Sequence, residues 1–415
     1  MTATRAEQRR TRLGLGARAV ISADRAKPFE RRHPWVFAGS IEEVQGAPDN
    51  GDIIDLVTTE GAFLARGYIN ENSQIRVHVL TWNVAEAIDT AWWRDRITRA
   101  VVARAPIFER GTNVYRLINT ENDGLPGLVV DRYGNYLVLQ ALTLGIDRRK
   151  AEIAQILNDL LHPIGIYERS DIDVRSKEGI PEAVGLLLGE EPPPLIEVIE
   201  NGARFLVDVR GGHKTGFYID QRSSRTALEQ WVRLEAARGP QHILNCFSYT
   251  GGFAVYGLRG GAARVVNVDS SENMLALARQ NLALNGFSAD EGDFIHGNVF
   301  QVLRDFRSAG RQLDGIILDP PKFVHHQRQI EAAAQGYKDI NLLAFQLIKP
   351  GGFLMTFSCS GLVDPDLFQK IVFGALMDSG REGQIVMRLG QTEDHPVSLT
   401  FPEGLYLKGL LCRVW

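Results

Sequence analysis

The stretch His242-Ile243-Leu244-Asn245-Cys246-Phe247-Ser248-Tyr249-Thr250-Gly251-Gly252 decides how the rest of the chain is read. A short apolar run, His242 to Asn245, passes into a polar loop closed by two glycines, the pattern of a buried strand that turns sharply before a helix. The pattern recurs downstream. Arg264 to Val268, Leu313 to Leu318 and Phe353 to Phe357 read as further strands, and Glu272 to Leu284 as a helix with Ser271 as its N-cap and Asn285-Gly286 as its stop. Strands alternating with helices predict a mainly parallel sheet covered on both faces, a doubly wound α/β domain.

Ligands of such sheets bind beyond the carboxyl ends of the strands, so the polar residues there are the candidates for function. The first strand delivers the loop from Asn245 to Gly252, whose glycines let main chain approach a ligand closely. The second ends in Asp269. A glycine-rich loop followed about twenty residues later by an acid suits a ribose-bearing cofactor, because the carboxylate accepts hydrogen bonds from sugar hydroxyls. The G-x-G-x-x-G spacing required for a dinucleotide pyrophosphate is missing from this loop, so a cofactor without a pyrophosphate fits better and a nicotinamide dehydrogenase is disfavoured. The plainer reading is a tight turn with Asp269 as a helix-preceding cap. The third strand runs into Asp319-Pro320-Pro321-Lys322-Phe323, a stiff loop able to present a carboxylate and carbonyls to a planar base. Read alone, it is equally a proline-stiffened turn with a solvated acid. The fourth runs into Ser358-Cys359-Ser360-Gly361, which brings Cys359 to the same crevice as a candidate nucleophile. An isolated cysteine is more often a small buried hydrophobe, and that packing role is the one read for Cys246 and Cys412.

Outward from this domain, Asn201-Gly202 joins the runs Leu195 to Glu200 and Arg204 to Val209 as a hairpin, just after the break at Pro192-Pro193-Pro194. Before it, Ala91 to Ala105 reads as a helix, Leu128 to Asp131 and Tyr136 to Ala141 flank a turn, and a further helix runs to about Leu161. Earlier still, Ile53 to Thr58, Phe63 to Tyr68 and Ile75 to Leu80 form a small β domain. The start of the chain carries Arg5, Arg9, Arg10, Arg12 and Arg18 against Glu7 and reads as a mobile basic arm. The expected division is an arm at 1–17, a β domain at 18–90, an α+β domain at 91–194 and the α/β domain at 195–415. With 44% apolar residues among 415, the chain can bury more than one core. It lacks an apolar run long enough for a membrane span and a signal-peptide pattern, so a cytoplasmic protein is expected. Three widely spaced cysteines suit neither a disulfide framework nor a Cys-rich zinc site, and no metal is expected. The net charge of -4 leaves room for a local basic patch but not for a wholly basic nucleic-acid coat.

The motifs closely resemble those of the class I S-adenosylmethionine methyltransferases that modify C5 of cytosine in 23S ribosomal RNA, the RlmI type. The resemblance spans nearly all the chain after the basic arm. It is carried by Phe29-Glu30-Arg31-Arg32-His33-Pro34-Trp35-Val36-Phe37, Lys214-Thr215-Gly216-Phe217-Tyr218-Ile219-Asp220-Gln221-Arg222, Asp319-Pro320-Pro321-Lys322-Phe323, Gly336-Tyr337-Lys338-Asp339-Ile340-Asn341, Phe357-Ser358-Cys359-Ser360-Gly361 and Pro402-Glu403-Gly404-Leu405-Tyr406-Leu407-Lys408-Gly409. It implies an N-terminal PUA-like β-barrel, a central α+β domain and a Rossmann-like catalytic domain with a mostly parallel seven-stranded sheet. The implied cofactor is S-adenosylmethionine, held by Asp220, Gln221 and Arg222, faced by Asn245, Phe247, Ser248, Tyr249, Thr250 and Gly251, and bound at its ribose by Asp269. Asn298 stands where similar enzymes usually carry an acid for the adenine amino group, and its side-chain oxygen can still accept that bond.

C5 of cytosine is a poor nucleophile until a thiolate adds to C6, and the resemblance makes Cys359 that thiolate. Asp319, counted with both the cofactor and the catalytic residues, would supply a proton or hydrogen bond near N3. Other cytosine-C5 enzymes carry a second cysteine in the Asp-Pro-Pro loop. Position 322 here is Lys, so release from Cys359 must proceed without it. Pro320, Pro321, Lys322, Phe323 and Tyr337 are candidates to contact an unstacked base, and Arg31 and Arg32 to contact RNA phosphates. The partner implied is 23S ribosomal RNA, free or within a large-subunit assembly intermediate, and a homodimer is compatible with the sequence. Two rival functions stay open: methylation of an exocyclic amine, and a non-catalytic cofactor-binding ribosome-assembly factor.

Overall fold

The computed structural model describes residues 16–324 and 327–415, apart from the side chain of Ala23. Most of the basic arm read at 1–17 therefore lies outside the described residues. The chain divides into two compact units, one made of Met1–Val198, Val207–Phe217 and Asp394–Gly404, the other of Ile199–Leu206, Tyr218–Glu393 and Leu405–Trp415.

The second unit is built on a seven-stranded sheet. Its strands, in chain order, are β1 (His242–Cys246), β2 (Arg264–Asp269), β3 (Phe294–His296), β4 (Leu313–Leu318), β5 (Ile348–Ser358), β6 (Gly383–Gly390) and β7 (Lys408–Val414). They lie in the order β3-β2-β1-β4-β5-β7-β6. The first five run parallel, and β7 enters antiparallel between β5 and β6. The connecting helices are α1 (Arg222–Ala236), α2 (Gly252–Arg259), α3 (Glu272–Leu284), α4 (Val299–Ser308), α5 (Ile330–Leu347) and α6 (Pro365–Ser379). The order reverses between β1 and β4, so their carboxyl ends flank the crevice where open sheets bind ligands. The helix read at Glu272 to Leu284 is α3, and Ser271 caps it by accepting from Met274 N–H. A core of Leu244, Val268, Ile316, Leu318, Leu354, Leu343 and Phe345, each at most 1% exposed, packs α5 against the sheet.

The first unit holds a six-stranded sheet and a five-stranded sheet. The six-stranded sheet contains the three strands read from the sequence together with Arg18–Ile21, Trp35–Phe37 and Ile41–Gln45. Its interior is Ala19, Ile21, Phe29, Val36, Ile54, Leu56, Ala65 and Val77. The five-stranded sheet adds Val114–Asn119, Gly165–Ser170 and Ala183–Gly189 to the pair at Leu128–Tyr133 and Tyr136–Ala141. The helix read from Ala91 to Ala105 runs from Thr90 to Glu109, with Asp89 capping it through Trp92 N–H. It continues past Pro106, whose ring only frees the carbonyl of Val102, a residue on the solvent side. Ile196–Glu200 and Ala203–Val207 form the expected hairpin, with Asn201 and Gly202 at φ 48° and 78°, the left-handed pair of a type I′ turn. No described helix is long and apolar enough to cross a membrane.

Candidate active site

The loop after β1 follows an unusual path. Phe247 and Tyr249 take φ of 59° and 48°, the left-handed region that costs a non-glycine residue about 1–3 kcal/mol. The path is held by Ser248 N–H on Val268 O (3.0 Å) and Gly251 N–H on Ser248 O (2.9 Å), and by Asn281 Nδ2 on Thr250 O (2.9 Å). Gly251 is needed here twice over: its φ is 79°, and a Cβ would sit 3.0 Å from the Ala278 methyl. Asp269 closes the loop from β2. One carboxylate oxygen accepts from Tyr249 N–H at 2.8 Å and the other from Ser271 N–H at 2.9 Å. Each oxygen keeps a further lone pair for a hydroxyl donor.

Asn245, Ser248, Thr250 and Gln221 are buried, and Asn245 Oδ1, Ser248 Oγ, Thr250 Oγ1 and Gln221 Oε1 have no hydrogen-bond partner among the described residues. A buried polar atom left unmatched costs about 1–3 kcal/mol, so several around one loop fit a polar ligand that completes them. The amino-acid and ribose parts of S-adenosylmethionine have the donors and acceptors to do so.

Gln221 also links this loop to β4, donating from Nε2 to Asp319 Oδ1 at 3.1 Å. Asp220, just before α1, accepts from the Tyr406 hydroxyl at 2.6 Å, and Arg222 reaches Thr392 Oγ1 at 3.3 Å. Below them lies a buried ion pair. Arg225 Nε donates to Glu200 Oε1 at 2.7 Å, Arg225 Nη1 to Tyr218 O at 3.0 Å, and the Tyr256 hydroxyl to Glu200 Oε1 at 3.0 Å. It ties the hairpin to the start of the helix that carries Arg222.

Cys359 follows the end of β5 and is partly exposed, whereas Cys246 and Cys412 are buried with their thiols pushed up by burial, Cys412 to about 12. The Tyr218 phenol is pushed up by burial and by the charges of Asp319, Asp220, Cys359 and Asp269, which places these groups around one ring. Tyr218 meets Tyr249 edge-on at 5.1 Å. The Asp-Pro-Pro loop has Pro320 buried, Pro321 and Lys322 exposed and Phe323 partly buried. Tyr337 departs from the expectation of a base-stacking ring. It is fully buried, 4.7 Å from the Phe323 ring, and its hydroxyl accepts from Ser358 Oγ at 3.0 Å. It supports the Cys359 loop from beneath, and its phenol is pushed up to about 12, chiefly by burial.

Asn298 is exposed, and its side-chain oxygen accepts from Phe300 N–H at 2.9 Å as the N-cap of α4. Arg31 and Arg32 belong to the first unit, where they are exposed after the turn of helix Lys27–Glu30. Sequence reading did not single out Tyr218 or Lys408 as site residues. Lys408, first residue of β7, is buried and donates to the carbonyls of Ser360 and Val363 in the Cys359 loop.

Residues 173–396 match the S-adenosylmethionine-dependent methyltransferase family, and residues 20–82 match a PUA-like domain. The ribosomal RNA large subunit methyltransferase I of Klebsiella pneumoniae (strain 342) is 48% identical over 401 residues, covering 96% of this chain and 99% of its own. That of Shigella boydii (serotype 18) is 46% identical, covering 96% and 100%. Among solved structures, a protein assigned as a methyltransferase and crystallised with SAH superimposes with a TM-score of 0.82 at 18% identity, covering 95% of this chain and 99% of that one. A chain assigned as a SAM-dependent methyltransferase from Streptococcus mutans gives 0.81 at 19% identity, with the same coverage of 95% and 99%. The chain therefore belongs to the S-adenosylmethionine-dependent methyltransferases, within the family of the ribosomal RNA large subunit methyltransferase I proteins.

Proposed function

We propose that this enzyme methylates C5 of a cytosine in 23S ribosomal RNA through a covalent bond between Cys359 and C6 of the base. The observation that carries the reading is a partly exposed cysteine just past β5 that, together with Asp319 just past β4, acts on the phenol of Tyr218. The names of the relatives support the ribosomal RNA substrate.

S-adenosylmethionine, when bound, supplies a methyl group on a sulfonium, ready for transfer to a nucleophile. Asp220, Gln221 and Arg222 would help hold it, the loop from Asn245 to Gly251 would face its amino-acid end, Asp269 would accept from its ribose, and Asn298, through the second lone pair of its capped oxygen, from its adenine amine. The Cys359 thiolate adds to C6, and the C5–C6 π electrons move into the ring as N3 gains a proton or strong hydrogen bond from Asp319. C5 then has enamine character and would take the methyl group, the methyl–sulfur bond breaking with its electron pair left on the now neutral thioether. Loss of the C5 proton to a base restores the double bond and expels the thiolate, any proton taken up at N3 returns to Asp319, and no second cysteine takes part. Pro320, Pro321, Lys322 and Phe323 line the base, while Arg31, Arg32 and the arm hold phosphates. In this reading the domains are 1–17, 18–90, 91–194 and 195–415, and the substrate is RNA that is free or in an assembly intermediate.

The reading is tested with RNA carrying 5-fluorocytidine. Fluorine at C5 blocks the final elimination, so a protein–RNA adduct at Cys359 accumulates and survives denaturing electrophoresis. An exocyclic-amine enzyme forms no such adduct, and its absence with active enzyme and cofactor would remove the covalent mechanism.

A further inference from the structure

Lys408 stands opposite Ser358 in the antiparallel ladder of β5 and β7, and opposite Gly390 on the β6 side. Its residue is only 7% exposed. The ammonium makes no ion pair among the described residues, and donates to two main-chain carbonyls, Ser360 O and, at 2.5 Å, Val363 O. Those carbonyls bracket the turn that follows Cys359, which Val363 N–H closes on Ser360 O at 3.2 Å. The next residue, Asp364, caps α6 through Leu367 N–H at 2.7 Å.

A buried ammonium satisfied by carbonyls alone is a costly arrangement, because carbonyls offer partial charge where the cation has lost water. Burial accordingly lowers the Lys408 pKa to about 8, and the groups that hold it up are Cys359 and Asp364. Among the described groups, Tyr218 before α1, Tyr337 of α5 and Lys408 of β7 each feel the charge of Cys359, while Asp319, just past β4, acts on the two phenols and Asp364, before α6, on Lys408. Both phenols are held neutral, and the two carboxylates oppose a thiolate. Lys408 is the cation of the set.

We propose that Lys408 is a positioning residue for Cys359: it pins the Ser360–Val363 turn through two carbonyls, and its charge stabilises the thiolate. The inference rests on the reading of Cys359 as the nucleophile. When Sγ ionises, its proton passes to solvent while Lys408 keeps its own, so the pair enters the reaction as ammonium and thiolate. Removing the charge takes a neighbouring cation away from the thiol, which raises its pKa.

The test is the pH dependence of alkylation by iodoacetamide, measured on the full-length protein without RNA and resolved by peptide. Buried Cys246 and Cys412 report any unfolding in the same digest. Lys408→Gln keeps a donor for the carbonyls but not the charge, Lys408→Met loses both, and Lys408→Arg keeps the charge. The Gln and Met variants are expected to move the Cys359 midpoint up by about one pH unit or more, slowing alkylation at pH 7 about tenfold, with Arg close to the parent. A Gln variant that protects Cys246 and Cys412 yet titrates like the parent overturns the charge role. If Met opens the fold, Gln carries the test alone. Because no methyl transfer is read, the outcome is separate from the nucleophile assignment, which falls instead if Cys359→Ala retains turnover.

Discussion

His78 offers a quantitative test of the first unit. It is buried between two carboxylates, with Nδ1 3.5 Å from Glu121 and Nε2 3.9 Å from Glu178, and it stacks on Tyr68 at 5.2 Å. Trp35 Nε1 donates to Glu121 at 2.8 Å and Asn70 Nδ2 to Glu178 at 2.9 Å, so a further donor fixes each acid. Burial pushes the imidazole pKa down most strongly, but the two carboxylates together outweigh it and raise it from 6.5 to about 9. A pKa raised on folding means stability that is fully present below 6.5 and lost as pH climbs through about 9. At about 1.4 kcal/mol per unit, the window carries about 3 kcal/mol, roughly half of it gone by pH 8. His78→Gln leaves two buried acids without their cation and is expected to destabilise this unit by about 3 kcal/mol near pH 6. The assay is urea unfolding followed by tryptophan fluorescence from pH 6 to 9.5, for parent and variant. The parent should lose stability across that range relative to the variant. Parallel pH profiles for the two proteins would refute the charged, clamped histidine.

Other consequences concern the second unit. Cys359→Ala should abolish turnover while S-adenosylmethionine binding, measured by calorimetry, stays within about twofold of the parent. Asp269→Ala removes the acceptor of two backbone donors and, on the proposed reading, of the ribose, and should weaken cofactor binding by at least about tenfold, or about 1.4 kcal/mol, on the same instrument. Arg225→Leu strands the buried Glu200 carboxylate and should lower stability by about 3–5 kcal/mol in chemical denaturation, with a fully folded, equally stable variant as the contrary result.

The second unit was legible because its strands are short apolar runs whose carboxyl ends carry polar residues; three of these, Asp269, Asp319 and Cys359, act on the phenol of Tyr218, which strand-end logic did not single out. The first unit was less so. Ile41–Gln45 is a polar edge strand, and Arg18–Ile21 and Trp35–Phe37 are too short for a period to register. Gly165–Ser170 is buried at every position yet contains Glu168 and Arg169, a composition that resists reading as a core strand. Partners distant in sequence resolve it: Lys150 for Glu168, and the carbonyl of Val209 for Arg169. Tyr337 shows the opposite limit. An aromatic next to a loop motif suggested base contact, but only the packed structure reveals that Phe323 and Ser358 enclose it. Lys408 was hidden for a related reason, since the ladder register that sets it beneath Cys359 links residues about fifty positions apart.

The central claim is tested most directly by incubating the purified protein with methyl-labelled S-adenosylmethionine and unmodified 23S ribosomal RNA, then digesting the RNA to nucleosides. Label in 5-methylcytidine is the predicted result. Label in an N-methylated nucleoside would contradict the C5 chemistry, and no label on this RNA would contradict the substrate.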